Sequence, residues 1–219
     1  MKIGVCSANS GPYTSRETLF VLADLAESFG IESIWVSEHL VLTDPRRPPS
    51  PMEPDDPILD PVATLAFLAA RTDSVRLGTA IVVLPLRNPL ILAKELASVD
   101  VLSNRPARDG RLRTGGHAPD DPRGRRVVRM GSRPRGDRAT HGGAAGNGED
   151  TPRGEGLGEL EITITPPSDV DLVAAKRYEE LGVHRLNLML PWSLGGTELT
   201  SFFTAIVRPL VRQHPSNED

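Results

Sequence analysis

The chain reads as an α/β protein built on a parallel sheet, and three observations predict that class. Short apolar segments alternate with amphipathic ones from the first residues onward. The amphipathic segments open on helix-start signals, two of them an Asp-Pro or Asn-Pro pair. No tight-turn pair joins one apolar run directly to the next over the first hundred or so residues, so the strands are expected to run parallel, with helices between them.

The first strand is expected over residues 2–7, leading into the polar loop Ser7-Ala8-Asn9-Ser10-Gly11-Pro12. Thr14 with Glu17 three residues on is a capping box. Leu19, Leu22, Ala23 and Ala26 follow at helical spacing, and Gly30 lies where a left-handed residue closes a helix. The run Ile31-Glu32-Ser33-Ile34-Trp35-Val36-Ser37-Glu38-His39 is a short buried strand that ends in a carboxylate beside an imidazole. Ligands of parallel α/β sheets bind beyond the strand C-termini. Glu38 and His39 therefore stand where chemistry would be done, or else they are the polar start of a loop.

Asp60-Pro61 starts a second helix, expected to run to about Ala70. A long apolar strand is expected over 75–84, and Asn88-Pro89 opens a third helix with Leu92, Leu96 and Val99 on one face. After a break, 160–167 alternates as a strand and 171–181 reads as a helix closed by Gly182. Residues 185–190 form another buried strand. The last helix, 197 to about 212, places Leu199, Phe202, Phe203, Ile206 and Leu210 on its apolar face. That gives five strands in all.

The segments Trp35-Val36-Ser37-Glu38-His39, Leu77-Gly78-Thr79-Ala80-Ile81, Pro85-Leu86-Arg87-Asn88-Pro89 and the run from Ala93 to Ser103 together resemble the bacterial luciferase-like oxidoreductases and monooxygenases. Within that superfamily the chain looks most like the branch that uses the deazaflavin coenzyme F420. The resemblance covers about 1–103 and a shorter tail from about 159. It implies a TIM-type barrel, with active sites at the C-terminal ends of the strands. It also implies hydride transfer between F420, or alternatively FMN, and a small organic substrate. His39 would donate or accept a proton, as imidazoles do near neutral pH, and Glu38 would orient it or hydrogen-bond the ring. Ser7, Ala80, Ile81 and Val82 would support the ring. Relatives carry a non-prolyl cis peptide after the third strand, and the matching bond joins Ala80 and Ile81. They also tend to carry a Trp four residues after the His, where this chain has Thr43, so aromatic stacking is lost or supplied from elsewhere.

The resemblance also frames the domain organisation: an N-terminal barrel portion (1–103), a low-complexity middle (104–158) and a C-terminal barrel portion (159–219). The middle holds about half of the Lys and Arg and most of the Gly, with no aromatic and no period of 2 or 3.6. It is expected to be disordered, and relatives have their Gly-Val-Gly-type fourth strand there. An evolved insert, a nucleic-acid-binding segment, and a frame-shifted or deleted stretch are the three origins. Arg, Gly, Pro and Ala are what GC-rich codons encode out of frame, and this favours the last. The fold expected is therefore an incomplete barrel, since 219 residues fall short of the roughly 250 of a full one.

A net charge of −4 hides a basic middle between acidic flanks. That tract lacks interleaved aromatics and any recognisable module, which argues against nucleic acid as a partner. Cys6 is the single cysteine, so no disulfide framework exists and its expected role is packing. Met1 leads directly into a strand and no apolar run is long enough to cross a membrane, so a cytoplasmic location is expected. A small-molecule substrate is the expected partner, with a homodimer left open. His117 and His141 have no companions at metal-ligand spacing, so no metal is expected. Gly115-Gly116 and Gly142-Gly143 follow no strand and are not phosphate loops. His184 precedes a strand, the wrong end for catalysis. Gly195 and Gly196, in Leu194-Gly195-Gly196-Thr197, lie between a late strand and a helix start, which suits a phosphate or simply a Thr-capped loop. The reading from another class is a non-enzymatic relative that binds a flavin without turnover, or a pseudo-enzyme that binds nothing.

Overall fold

A computed structural model describes residues 1–48, 50, 52–103, 128–130, 161–167, 170–192 and 196–213. The expectations for the remainder of the middle tract, including His117, His141 and both Gly-Gly pairs there, and for Gly195, lie outside the described residues.

Among the described residues, six parallel strands form one sheet: β1 (Lys2–Cys6), β2 (Ser33–Val36), β3 (Arg76–Thr79), β4 (Val128–Met130), β5 (Thr163–Thr165) and β6 (Arg185–Met189). The spatial order is β3-β2-β1-β6-β5-β4. A doubly wound sheet sets its fourth strand beside its first. Here the last strand, β6, flanks β1 instead, in register from Lys2 opposite Arg185 to Cys6 opposite Met189. That is the cyclic order of a (β/α) barrel wall with β3 and β4 at its two edges among the described residues, consistent with an incomplete TIM-type barrel. β4 lies within the tract in which the sequence suggested no strand, and it pairs with β5 through Met130 opposite Thr165.

The helices are α1 (Arg16–Phe29), α2 (Pro61–Ala69), α3 (Pro89–Leu102), α4 (Leu172–Glu180), α5 (Gly196–Phe202) and α6 (Arg208–Gln213), the last two joined by a π segment, Phe203–Val207. Their caps are as local as the sequence suggested. Asp60 accepts the N–H groups of Val62 and Ala63, Asn88 those of Leu90 and Ile91, and Asp171 that of Ala174. Gly30 closes α1 at φ 68°. The start of α1 is a correction. Ser15, not Thr14, is the N-cap and accepts the Thr18 N–H, because Gly11–Thr14 is already wound into a 3-10 turn in which the Thr14 hydroxyl donates to the Gly11 carbonyl.

Alternation along the strands sorts the two sheet faces. Ile3, Val5, Ile34, Val36, Leu186 and Leu188 join one continuous core with Leu19, Leu22, Leu65, Leu68, Phe203 and Leu210 from the helices. The other face carries Cys6, Ser33, Trp35, Arg185, Asn187 and Met189, the side that faces inward in a barrel wall. At its N-terminal end the fully buried Arg185 lies 2.6 and 2.7 Å from the two oxygens of Glu32 and 3.1 Å from Glu161. Its guanidinium sits 5.5 Å from the Trp35 ring centroid. Burial raises the Glu32 carboxyl, but hydrogen bonds and charge from Arg185 overcome this and hold it down at about 2.

The expected long strand over 75–84 is shorter. It ends at Thr79, bends at Ala80 and enters a 3-10 turn at Leu84–Leu86. The strand expected over 160–167 is confined to Thr163–Thr165.

Candidate active site at the strand C-termini

The C-terminal ends of the strands border a cleft of about 330 Å³. β1 contributes Cys6 and, just past its end, Ser7. The segments after β2 and β3 contribute Ser37 and His39, and Ala80 and Ile81. β5 and the residues following it supply Thr165–Pro167, and the end of β6 leads through Leu188–Trp192. Met52, from the proline-rich loop after β2, and Phe202 and Ile206 of the last helical run complete an apolar lining. Volume and lining are those of a small-molecule site.

Two devices hold the strand ends. Asn9 is fully buried, and its amide nitrogen donates to the carbonyls of Ser37 and Leu59 at 2.7 Å each, while its oxygen accepts the Ser37 N–H at 2.9 Å. One side chain thus fixes the end of β2, from which His39 emerges into the cleft. Ser7 has φ 65°, a left-handed conformation in a residue other than Gly, which costs on the order of 1 kcal/mol. Its hydroxyl donates to Met189 Sδ at 3.0 Å. Such strain concentrates at functional sites.

The expected site residues separate. His39 is exposed and lines the cleft. Glu38 is 2% exposed and turns elsewhere: one oxygen accepts the Val83 N–H at 2.6 Å and the other the Arg87 Nε–H at 2.6 Å. It does not orient His39, and its carboxylate is committed to the chain rather than free for a ring. Ser7, Ala80 and Ile81 line the cleft, whereas Val82 packs against the hydrophobic core. The Ala80–Ile81 peptide is trans, since Asp44–Pro45 is the cis bond among the described residues. The expectation of a cis bond there is corrected, although the chain does bend out of the strand at Ala80. Gly196 begins α5.

Cys6 is buried, and burial pushes its thiol up to about 12, so it stays protonated and is no nucleophile. Its Sγ–H points at Met189 Sδ, 3.8 Å away, in line with a packing role. His184 accepts the Ile162 N–H through Nδ1 at the opposite end of the sheet and serves structure.

Trp192 was not anticipated. It lines the cleft three residues beyond Met189, the end of β6, and the signal available was its place just past a strand C-terminus. Asn9, Tyr13 and Arg87 were likewise missed as organisers, because each acts on residues distant in sequence.

A sequence profile of the luciferase-like monooxygenase family matches residues 1–115. The chain belongs to the luciferase-like monooxygenase family. A flavin-dependent trigonelline monooxygenase, oxygenase component, of Acinetobacter baylyi is 33% identical over 88 residues, covering 40% of this chain and 21% of that protein. An uncharacterised protein of Mycobacterium tuberculosis is 36% identical over 90 residues, covering 37% of this chain and 32% of its own length. The luciferase-like chain therefore spans about a fifth to a third of the curated relatives it matches. Among solved structures, monooxygenase RslO1 from Streptomyces bottropensis aligns over 97% of this chain and 66% of its own, with TM-score 0.37 and 21% identity. Riboflavin lyase (RcaE), solved with modified FMN and its substrate riboflavin, aligns over 53% of this chain and 29% of its own, with TM-score 0.41 and 21% identity. No helix among the described residues is long and apolar enough to cross a membrane.

Proposed function

We propose that this luciferase-like chain binds the flat ring of a flavin-type cofactor in the cleft at the strand C-termini and serves hydride transfer to or from a small organic substrate. The observation that carries this reading is the convergence of an apolar cleft and the exposed imidazole of His39 on one end of a parallel sheet. The lining suits a planar, largely apolar ring. It holds no Lys or Arg among the described residues, so the phosphate of FMN or the acidic tail of F420 finds no cation there.

A bound flavin or deazaflavin supplies the hydride-carrying ring. His39 holds or delivers the proton that accompanies the transfer. Ser7, Ala80 and Ile81 form the support beneath, and Asn9 keeps the His39 backbone in place. FMN stands first, because the relative of named activity is flavin-dependent. F420 is the second reading, carried by the Glu38-His39 pair, and it is weakened by the commitment of Glu38 to Arg87. A flavin binder without turnover is the alternative, supported by β3 and β4, which stand at the two edges of the sheet and do not pair with each other among the described residues.

Titrating the full chain with FMN and with F420, followed by fluorescence, tests these alternatives. Binding of FMN with detectable turnover supports the enzyme. Binding without turnover under any substrate supports the non-enzymatic relative, and binding of neither cofactor overturns the proposal.

A further inference from the structure

Trp192 is held differently from the other tryptophan. Trp35 is 3% exposed, donates its Nε1–H to the Ser33 hydroxyl at 2.8 Å and stacks beneath Arg185. Trp192 is half-buried, lines the cleft, and among the described residues its indole N–H has no partner.

Its backbone and ring are both set in advance. Leu190 N–H donates to the Cys6 carbonyl at 3.2 Å, and the fully buried Tyr13 donates its hydroxyl to the Pro191 carbonyl at 2.7 Å. The ring lies against Gly11, where φ is +55° and a Cβ would stand 2.9, 3.0 and 3.3 Å from three indole carbons. A side chain at position 11 would push the ring off this seat. Absence of a side chain there gives the indole a flat backbone to rest on, and pre-setting a rigid aromatic lowers the ordering cost of binding against it.

We infer that Trp192 is a specificity residue: a preformed indole wall that makes the cleft prefer a flat aromatic ring to a saturated ring of the same size. This assignment rests on the reading of the cleft as the ligand site. The flat ring has two sources, the cofactor's ring system or an aromatic substrate, and both share the chemistry of stacking.

The chain, with Trp192→Leu and Trp192→Phe, is titrated calorimetrically with 2-naphthol, with decahydro-2-naphthol and with FMN. Leu keeps an apolar side chain at position 192, and circular dichroism checks that each variant is folded. For the parent, 2-naphthol binds more tightly than its saturated counterpart. Trp192→Leu weakens a flat ligand about tenfold, within the range of an aromatic pair, and leaves the saturated one unchanged, while Trp192→Phe restores most of the loss. Weakening of FMN identifies the cofactor ring as the stacked partner; weakening of 2-naphthol alone identifies the substrate. Either result supports the inference. Equal loss for flat and saturated probes, no loss for either flat ligand, or a parent that binds neither flat ligand overturns it. The naphthol comparison needs no turnover and no cofactor, so it is read separately from the proposed reaction.

Discussion

Arg87 places its Nε 2.6 Å from Glu38 Oε1 and with that contact joins the end of β2 to the segment that follows β3. The same guanidinium reaches Asp60, the N-cap of α2, and Glu38 in turn accepts the Val83 N–H. Both ends of the connection from β2 to α2 and the connection from β3 to α3 are thereby fastened together through Arg87 and the buried Glu38 carboxylate. This explains why the chain leaves the sheet after Thr79 although its residues stay apolar to Leu84.

Arg87→Met leaves Glu38 buried without its cation, and loss of one member of such a pair typically costs about 3–5 kcal/mol. The double variant Glu38→Leu with Arg87→Met is expected to recover part of that loss. Urea denaturation of the parent, the Arg87→Met and Glu38→Leu single variants and the double variant gives the coupling directly. A single Arg87 variant as stable as the parent would remove the fastening role.

The Glu32–Arg185 pair predicts acid sensitivity. Glu32 is held at about 2 against an ordinary 4.5, so the folded state keeps its proton off more strongly than the unfolded one. The stabilisation is complete above about pH 4.5 and is lost as pH falls toward about 2. Its size is on the order of 3 kcal/mol. Glu32→Gln is expected to be less stable at pH 7 and to lose less on acidification over that window. Stability measured by denaturant at several pH values checks this, and parallel curves for parent and variant would contradict it.

Much of this was readable because the causes are local. Asp60 and Asn88 cap helices whose first N–H groups are two and three residues away, and Gly30 supplies a left-handed turn that its own sequence position announces. His39 at a strand end was readable for the same reason. What escaped depends on distant partners. The committed orientation of Glu38 is set by Arg87, 49 residues on. The end of β3 is set by Glu38 as well. The start of α1 moved by one residue because Gly11 turns left-handed beneath a tryptophan 181 positions away, at 192. Val128–Met130 adds to the sheet through pairing with β5, and no period in so short a run reports that.

Asn187 offers a test of the interior. It is fully buried on β6, and among the described residues neither amide atom has a hydrogen-bond partner. An unpaired buried amide costs roughly 1–3 kcal/mol. Asn187→Leu, close in shape, is expected to be neutral or stabilising by about 1–2 kcal/mol. Thermal unfolding monitored by circular dichroism reads the change, and a marked drop in stability would mean that the amide is used.

The seat of Trp192 can be separated from simple glycine strain because three glycines share a positive φ with different surroundings. Gly30 (φ +68°) has its nearest atom 3.9 Å from a notional Cβ, Gly182 (φ +82°) has nothing within 4 Å, and Gly11 (φ +55°) has the indole at 2.9 Å. Alanine at the first two positions meets only the left-handed backbone, for about 1 kcal/mol each. Alanine at Gly11 adds a collision with a ring held by its own backbone, and overpacking of this kind costs roughly 1–3 kcal/mol more. Removing the ring removes the collision, so Gly11→Ala placed in a Trp192→Leu background is expected to cost no more than Gly30→Ala does. Denaturant unfolding of this set measures the difference. If Gly11→Ala costs the same whether or not the indole is present, then Gly11 is needed for its φ alone and the indole does not depend on that seat.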